Sequence, residues 1–192
     1  MKSIIVFNHK GGSSRTTTSL NLYHGLIKAG AKCCIIDTDP QLSLTNINKV
    51  IGAKVSIVSS LKEGAAMHNY CIIDTPPYYS PLTLPYIQNA TLVLMPVRAS
   101  ALDVVATIQT FNDIKKHNQN IFAFFTSVKM GIKFPELVSQ LHKYKIPLLD
   151  TIVHNRIVFS KMMQTTGNIY STQDVQAKNE ITDLITEIHT KI

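Results

Sequence analysis

No stretch of this chain approaches the roughly 20 consecutive apolar residues of a membrane span, which excludes a bilayer-crossing helix. Cysteine is scarce. Cys33 and Cys34 sit together in an apolar run and Cys71 opens another, so the spacing has no metal-ligand pattern and no even count for disulfides. Three buried thiols are expected. Acidic charge is also in short supply, with 12 Asp and Glu against 19 Lys and Arg. The resulting +7 favours a polyanionic partner, either nucleic acid or an acidic membrane face. There is no internal repeat, linker or low-complexity tract, and the opening Met1-Lys2-Ser3 runs into an apolar segment too short for a secretory signal. One cytosolic domain over residues 1–192 is the expectation.

What the chain does contain is concentrated in residues 8–18, Asn-His-Lys-Gly-Gly-Ser-Ser-Arg-Thr-Thr-Thr. Ser3 to Phe7 before it reads as a buried parallel strand, and the periodic stretch from Leu20 to Ala29 after it as a helix. The first turn of a helix has unpaired N–H groups and the positive end of the macrodipole, so such a loop can hold polyphosphate. Gly11 and Gly12 let the backbone wrap closely, and Thr16 can offer its hydroxyl to a phosphate-bridging magnesium ion. The strict pattern G-x-x-x-x-G-K-[ST] is not met, because His9, Ser14 and Arg15 stand where Gly, Gly and Lys are required.

Further along, Lys32–Asp37, Lys54–Ser59, Tyr70–Ile73, Thr91–Val97, Ile121–Val128 and a short segment around Leu149–Val153 read as strands. Leu102–Lys116, Pro135–Lys143 and Val175–Ile192 read as helices. Alternation of this kind predicts an α/β fold with a doubly wound, mostly parallel sheet, its ligand beyond the carboxyl ends of the strands. The loops at Lys10, Asp39 and Asp74 all follow strands.

A magnesium–nucleotide site needs one carboxylate to hold the metal's shell and one to orient the attacking water. Asp74, after four apolar strand residues, suits the metal, and Asp39, stiffened by Pro40, suits the water. Either aspartate alone would also serve a turn. Their order behind a phosphate loop favours the nucleotide reading.

Lys10-Gly11-Gly12 with Thr16-Thr17, Asp37-Thr38-Asp39-Pro40-Gln41 and Cys71-Ile72-Ile73-Asp74-Thr75-Pro76-Pro77 together resemble the deviant-Walker P-loop ATPases of the ParA/MinD family. The resemblance continues through Ala90–Val97 with Ser100–Asp103 and through Thr151–Phe159, covering nearly the whole chain. The Asp-Pro-Gln and Arg-x-x-Phe features are similar to the partition branch, in particular its short members without an N-terminal DNA-reading domain. The resemblance implies ATP and Mg2+, held by Gly11, Gly12, Ser13, Ser14, Arg15, Thr16 and Thr17, with Thr16 and Asp74 on the metal. It further implies that Lys10 crosses a nucleotide-sandwich homodimer to the partner's phosphates and that Asp39 positions water. The partners it implies are non-specific DNA and a ParB-like or small centromere-binding activator, giving a cytoplasmic, nucleoid-associated ATPase that partitions a plasmid or other cargo.

Ser14 and Arg15 depart from that pattern. A lysine ammonium is a compact charge that follows the phosphates, whereas a guanidinium is planar and donates in a fixed fork. Ser14 adds a Cβ where glycine allows close approach and positive φ. These departures predict that nucleotide binding survives more readily than turnover. A nucleotide-gated regulatory or scaffold module is therefore an alternative to the partition ATPase.

Candidate DNA contacts are Lys129, Lys133, Arg156 and Lys161, from the basic second half, where phosphate contacts carry no sequence information. No helix-turn-helix segment remains once the sheet is assigned. A MinD-like, membrane-associated positioning protein is a further alternative, but the C-terminal stripe of Ile181, Leu184, Ile185 and Ile188 is rimmed by Glu180, Asp183 and Glu187. Anionic lipid repels such a rim, so this helix is expected to pack on the sheet.

Overall fold

The apolar runs of the sequence become the strands of one sheet in the computed structural model, which describes residues 1–192. The strands are β1 (Lys2–Val6), β2 (Cys33–Asp37), β3 (Tyr70–Asp74), β4 (Leu92–Arg98), β5 (Ile121–Val128) and β6 (Val153–His154), in spatial order β2-β3-β1-β4-β5-β6. All pairings are parallel. Parallel strands need crossovers, and these carry the helices α1 (Arg15–Lys28), α2 (Ser43–Ile51), α3 (Leu61–Ala65), α4 (Leu84–Asn89), α5 (Ala101–Ile114) and α6 (Pro135–Lys143), while α7 (Ile157–Thr165) and α8 (Val175–His189) follow the last strand.

Successive strand residues point to opposite faces, so β1 feeds two cores. Ile4 and Val6 join Leu20, Leu26, Ile181 and Leu184 on the α1/α8 face. Ile5 joins Val104, Ile114 and Leu141 on the α5/α6 face. Both faces are covered, as continuous apolar strands require. The C-terminal stripe lies in this core, with Ile181, Leu184, Ile185 and Ile188 all buried, so α8 packs on the sheet. The three cysteines are free and buried.

Two expected strands differ. Lys54–Ser59 forms no ladder; Ile57 makes a single bridge to Ile35, with Ile35 N donating to Ser56 O at 2.8 Å and Val58 N donating to Ile35 O at 2.9 Å. Left-handed Lys54 (φ 54°) and the Ser60 cap of α3 confine the extended stretch between them. Around residues 149–153, Leu148 bridges Ala123 and pairing resumes only at Val153. The Glu187 carboxylate of α8 takes the intervening N–H groups of Asp150 (2.7 Å) and Thr151 (3.0 Å). Helices α2, α3, α4 and α7 were not foreseen. Of these only α3 has a side-chain cap from its own N-cap residue, Ser60, so the other three lack the usual start signal in the sequence.

Helices α1 and α8 meet at Gly25, where an added Cβ would lie 2.1 Å from Ile185 Cδ1 and 2.8 Å from the Tyr170 hydroxyl. Overpacking costs about 1–3 kcal/mol, more than the ~1 kcal/mol helix-propensity gain of alanine. Gly25→Ala is expected to destabilise the fold, and Ile185→Val, which removes the clashing methyl, to cost less in that background than in the native one; urea denaturation of the four proteins of this cycle measures it. On the same helix, burial lowers the pKa of His24 to about 4, and its Nε2 has no hydrogen-bond partner. The unfolded chain, with a histidine pKa near 6.5, binds the proton more readily between pH 6.5 and 4. This stability is therefore complete above pH 6.5 and falls away as the pH drops toward 4, by on the order of 2–3 kcal/mol. His24→Gln should flatten that acid limb in urea titrations at stepped pH.

Candidate nucleotide site

The carboxyl ends of β1, β2 and β3 are level, since Val6, Asp37 and Asp74 pair across the three strands. The loop from β1 to α1 rises from this edge. Its first polar residue, Asn8, is buried and holds the turn: Nδ2 donates to Pro96 O (3.0 Å) and Thr107 Oγ1 (2.9 Å), while Oδ1 accepts from Lys10 N at 3.0 Å. Lys10 is thus fixed at its backbone and half-exposed. Gly12 has φ 71°, a left-handed position that suits glycine. Gly12, Ser13, Ser14, Arg15, Thr16 and Thr17 line a cavity of about 160 Å³ at the start of α1. The unpaired amides of a first helical turn converge there.

Behind this cradle lies Asp74, fully buried. Its Oδ2 accepts from Thr16 Oγ1 at 2.9 Å and its Oδ1 from Ser19 Oγ at 2.8 Å. Burial raises its pKa to about 7, with the two hydroxyls pulling it down. A buried carboxylate beside a threonine hydroxyl is a hard-oxygen pair, and these donors fit Mg2+, which takes one or two such groups plus phosphate oxygens. Asp37 has a different task, accepting from Thr45 N and Thr45 Oγ1, both at 2.9 Å, to start α2. Asp39 stands half-exposed, its Oδ1 accepting from Gln41 N at 2.9 Å in an Asx turn. Its other oxygen has no partner in the chain.

Ser14 caps α1 in the left-handed conformation, φ 69° and ψ 23°, where a non-glycine residue costs about 1 kcal/mol or more. Its hydroxyl lies 3.1 Å from that of Ser127, at φ 55° itself left-handed. Arg15 is 9% exposed. Its Nε donates to Thr75 O at 2.9 Å, and Nη1 lies within bonding distance of Asn8 O (2.8 Å), Lys10 O (2.7 Å) and Ser13 Oγ (3.0 Å). Burial lowers its pKa, opposed by the nearby charges of Asp74 and Asp39.

Beside the cradle, sharing Ser14 and Thr17 with it, opens a cavity of about 380 Å³ between α1, the end of β5 and the segment from β6 into α7. Asn21, Ser127, His154, Asn155 and Phe159 are among its lining. Sequence reasoning reached His154, Asn155 and Phe159 only through the resemblance of Thr151–Phe159, and it missed Asn21, Ser127 and Ser19 as site residues. Ser19 was within reach, because it lies three residues after Thr16 on the same helix face. The cavity's lining comes from four distant segments with no shared motif.

Of the basic candidates, Lys129, Lys133 and Lys161 are exposed. Arg156 is not a free cation: its Nη2 donates to Glu180 Oε1 at 2.8 Å and its Nη1 to Gln176 Oε1 at 3.0 Å. Glu180 also accepts from His154 N and pairs with His154 Nδ1, both at 2.9 Å, so this acid joins α8 to the cavity wall.

Comparison with known proteins places these features among relatives. A family described as "AAA domain" matches residues 1–62, which include the loop and Asp39. The chain is 26% identical to Protein ParA of Rhizobium radiobacter, over 92% of this chain and 88% of that protein. It is 24% identical to the maintenance of carboxysome distribution protein A of Halothiobacillus neapolitanus, over 97% and 95% of the two chains. Among solved structures, a putative plasmid partition protein of Borrelia burgdorferi bound to AMPPNP superposes with a TM-score of 0.79 at 17% identity, covering 100% of this chain and 99% of that one. The MinD cell division protein of Aquifex aeolicus gives 0.77 at 16% identity, covering 99% and 97%. At such identities the superpositions establish the shared fold.

Thr16→Ala and Asp74→Asn each remove one member of the hydroxyl–carboxylate pair. Each is expected to lower magnesium-dependent nucleotide turnover about 100-fold while leaving metal-free nucleotide binding within about threefold. Turnover assays and titrations with and without Mg2+ check both halves.

Proposed function

We propose that the chain is a ParA/MinD-type ATPase of the partition kind, whose 192 residues form a single nucleotide-binding unit. The observation that carries this reading is the bond between Thr16, which lines the phosphate cradle, and the buried Asp74. ATP binds with its phosphates on the amides of residues 11–17, and the 380 Å³ cavity takes the nucleoside. Thr16 and Asp74 hold Mg2+, which neutralises charge on the terminal phosphates. Asp39, with one carboxylate oxygen unbonded within the chain, orients the attacking water. Lys10 reaches the phosphates of a second copy, so that hydrolysis depends on dimerisation.

Exposed apolar side chains support that dimer. Leu82 (76% exposed), Leu102 (77%) and Ile157 (75%) all follow the carboxyl ends of strands, on the edge that carries the site. Isolated exposed leucines are ordinary, but several on one functional edge suit a nucleotide-dependent interface. The dimer binds DNA through backbone phosphates, with exposed Lys129, Lys133 and Lys161 as contacts and Arg156 subordinate because Glu180 holds it. Such a dimer is nucleoid-associated in the cytoplasm and is released when a ParB-like or small centromere-binding activator triggers hydrolysis. The membrane-positioning alternative loses support because α8 buries its apolar stripe. The regulatory alternative keeps support from Arg15, whose bonds engage loop carbonyls.

ATP turnover with Mg2+, with and without DNA, tests the proposal. Lys10→Ala is expected to reduce DNA-stimulated turnover about 100-fold or more, and Asp39→Ala to do the same while accumulating an ATP-bound dimer in light scattering. Lys129→Ala should lower DNA affinity equally across sequences and shallow the salt dependence by about one unit of slope. Failure of the native chain to bind ATP would reject the reading.

A further inference from the structure

The two residues that break the phosphate-loop pattern, Ser14 and Arg15, are bonded to opposite flanks of the loop. We propose that they are positioning residues, a pair of tethers that fix the loop's shape through protein atoms, Arg15 to the exit of β3 and Ser14 to the exit of β5. Arg15 is then a strut rather than the cation that follows the phosphates.

The chemistry of the guanidinium carries the first half. Its Nε is committed to Thr75 O, and the two hydrogens of Nη1 are shared among Asn8 O, Lys10 O and Ser13 Oγ, leaving only Nη2 without a protein partner. To swing onto a phosphate, the side chain would have to abandon carbonyls at 2.7–2.9 Å in a site where it is 9% exposed itself. Leaving buried acceptors unpaired carries the full desolvation cost, which opposes that movement. A lysine, with one terminal nitrogen, cannot span the same acceptors. All these bonds join atoms of this chain, so they form independently of nucleotide.

Backbone conformation carries the second half. Ser14 (φ 69°) and Ser127 (φ 55°) are both left-handed without being glycine, and their hydroxyls meet at 3.1 Å. Strain of this kind persists where surroundings over-determine it and clusters at functional sites. Ser14 and Ser127 also both line the larger cavity, so this tether sits where the phosphate cradle joins it. A loop shaped in advance spares nucleotide the cost of ordering it, while the chemical step lacks a preorganised lysine. Affinity and turnover are thereby separated.

The inference rests on the nucleotide reading of this site, but its first readout does not. Hydrogen exchange of amides 9–14 and of the amides of Thr75 and Tyr78, which flank the two prolines, is measured without nucleotide in the native chain, Arg15→Lys, Arg15→Ala, Ser14→Gly and Ser127→Ala. Both Arg15 variants are expected to exchange about tenfold faster in both segments; Ser14→Gly and Ser127→Ala should speed exchange only near residues 12–14, and their double variant no further than either alone. Arg15→Lys should in addition raise single-turnover hydrolysis about tenfold with its Kd for a fluorescent ATP analogue within about threefold. Native-like exchange in Arg15→Ala, with affinity lost about 100-fold, would make Arg15 a phosphate ligand and overturn the strut. Should Arg15→Ala fail to fold, native-like exchange in Arg15→Lys overturns it equally. A native chain that binds no nucleotide defeats the functional reading, while the exchange result still decides the tethers.

Discussion

The carboxylate of Asp74 has no exposed surface, and it joins the end of a central strand to the first two turns of α1 through Thr16 and Ser19. Around it the fold is apolar on both sides of the sheet, which forces polar chemistry to the edge where the strands end. Burying a carboxylate is unfavourable unless hydroxyls, a cation or a proton compensate. Here the hydroxyls compensate in part, and the pKa near 7 expresses the remainder. The phosphate loop, the helix it caps and the strand below it are therefore held at one point by a group that a cation would complete.

Much of this was legible because parallel strands buried on both faces leave continuous apolar runs, and the loops after them carry the polar residues. Residues 121–128 and 135–143 have the expected bounds, and the Thr16 hydroxyl bonds Asp74 beside a cavity that Gly12 helps to line. What failed was decided by contacts distant in sequence. The alternation at Lys54–Ser59 is real, yet the stretch is too short between a left-handed residue and a helix cap to add a strand. The pairing around Leu149 is interrupted by a carboxylate 37 residues away. Helix α2 starts with help from Asp37 on a neighbouring strand, a cap that no local pattern announces.

Arg156 illustrates the same limit at the level of charge. In the sequence it stands among lysines and counts toward a basic surface, but Glu180 and Gln176 on the C-terminal helix and Asp174 at its N-cap surround its guanidinium. Glu180 binds His154 as well, so one acid braces the segment that walls the larger cavity. Its net contribution through Arg156 is to shape a site rather than to present charge. The acidic rim around the α8 stripe thus has an inward use for two of its members, Glu180 and Glu187, both of which bond main-chain N–H groups of the β5–β6 region.

Sequence patterns and structure agree most closely in the core and least in the phosphate loop, which is where a functional constraint is expected to override local preference. Ser14 accepts a left-handed backbone that glycine would adopt freely, and Arg15 places a large planar group where a slender chain would suffice. Neither is relieved by relaxation elsewhere; both are instead enclosed by specific hydrogen bonds. A substitution that merely eroded the loop would leave strain without such partners. Because the partners are carbonyls and hydroxyls of the segments flanking the loop, the departures amount to a different way of holding the same shape, with the cost falling on contact to the transferred phosphate.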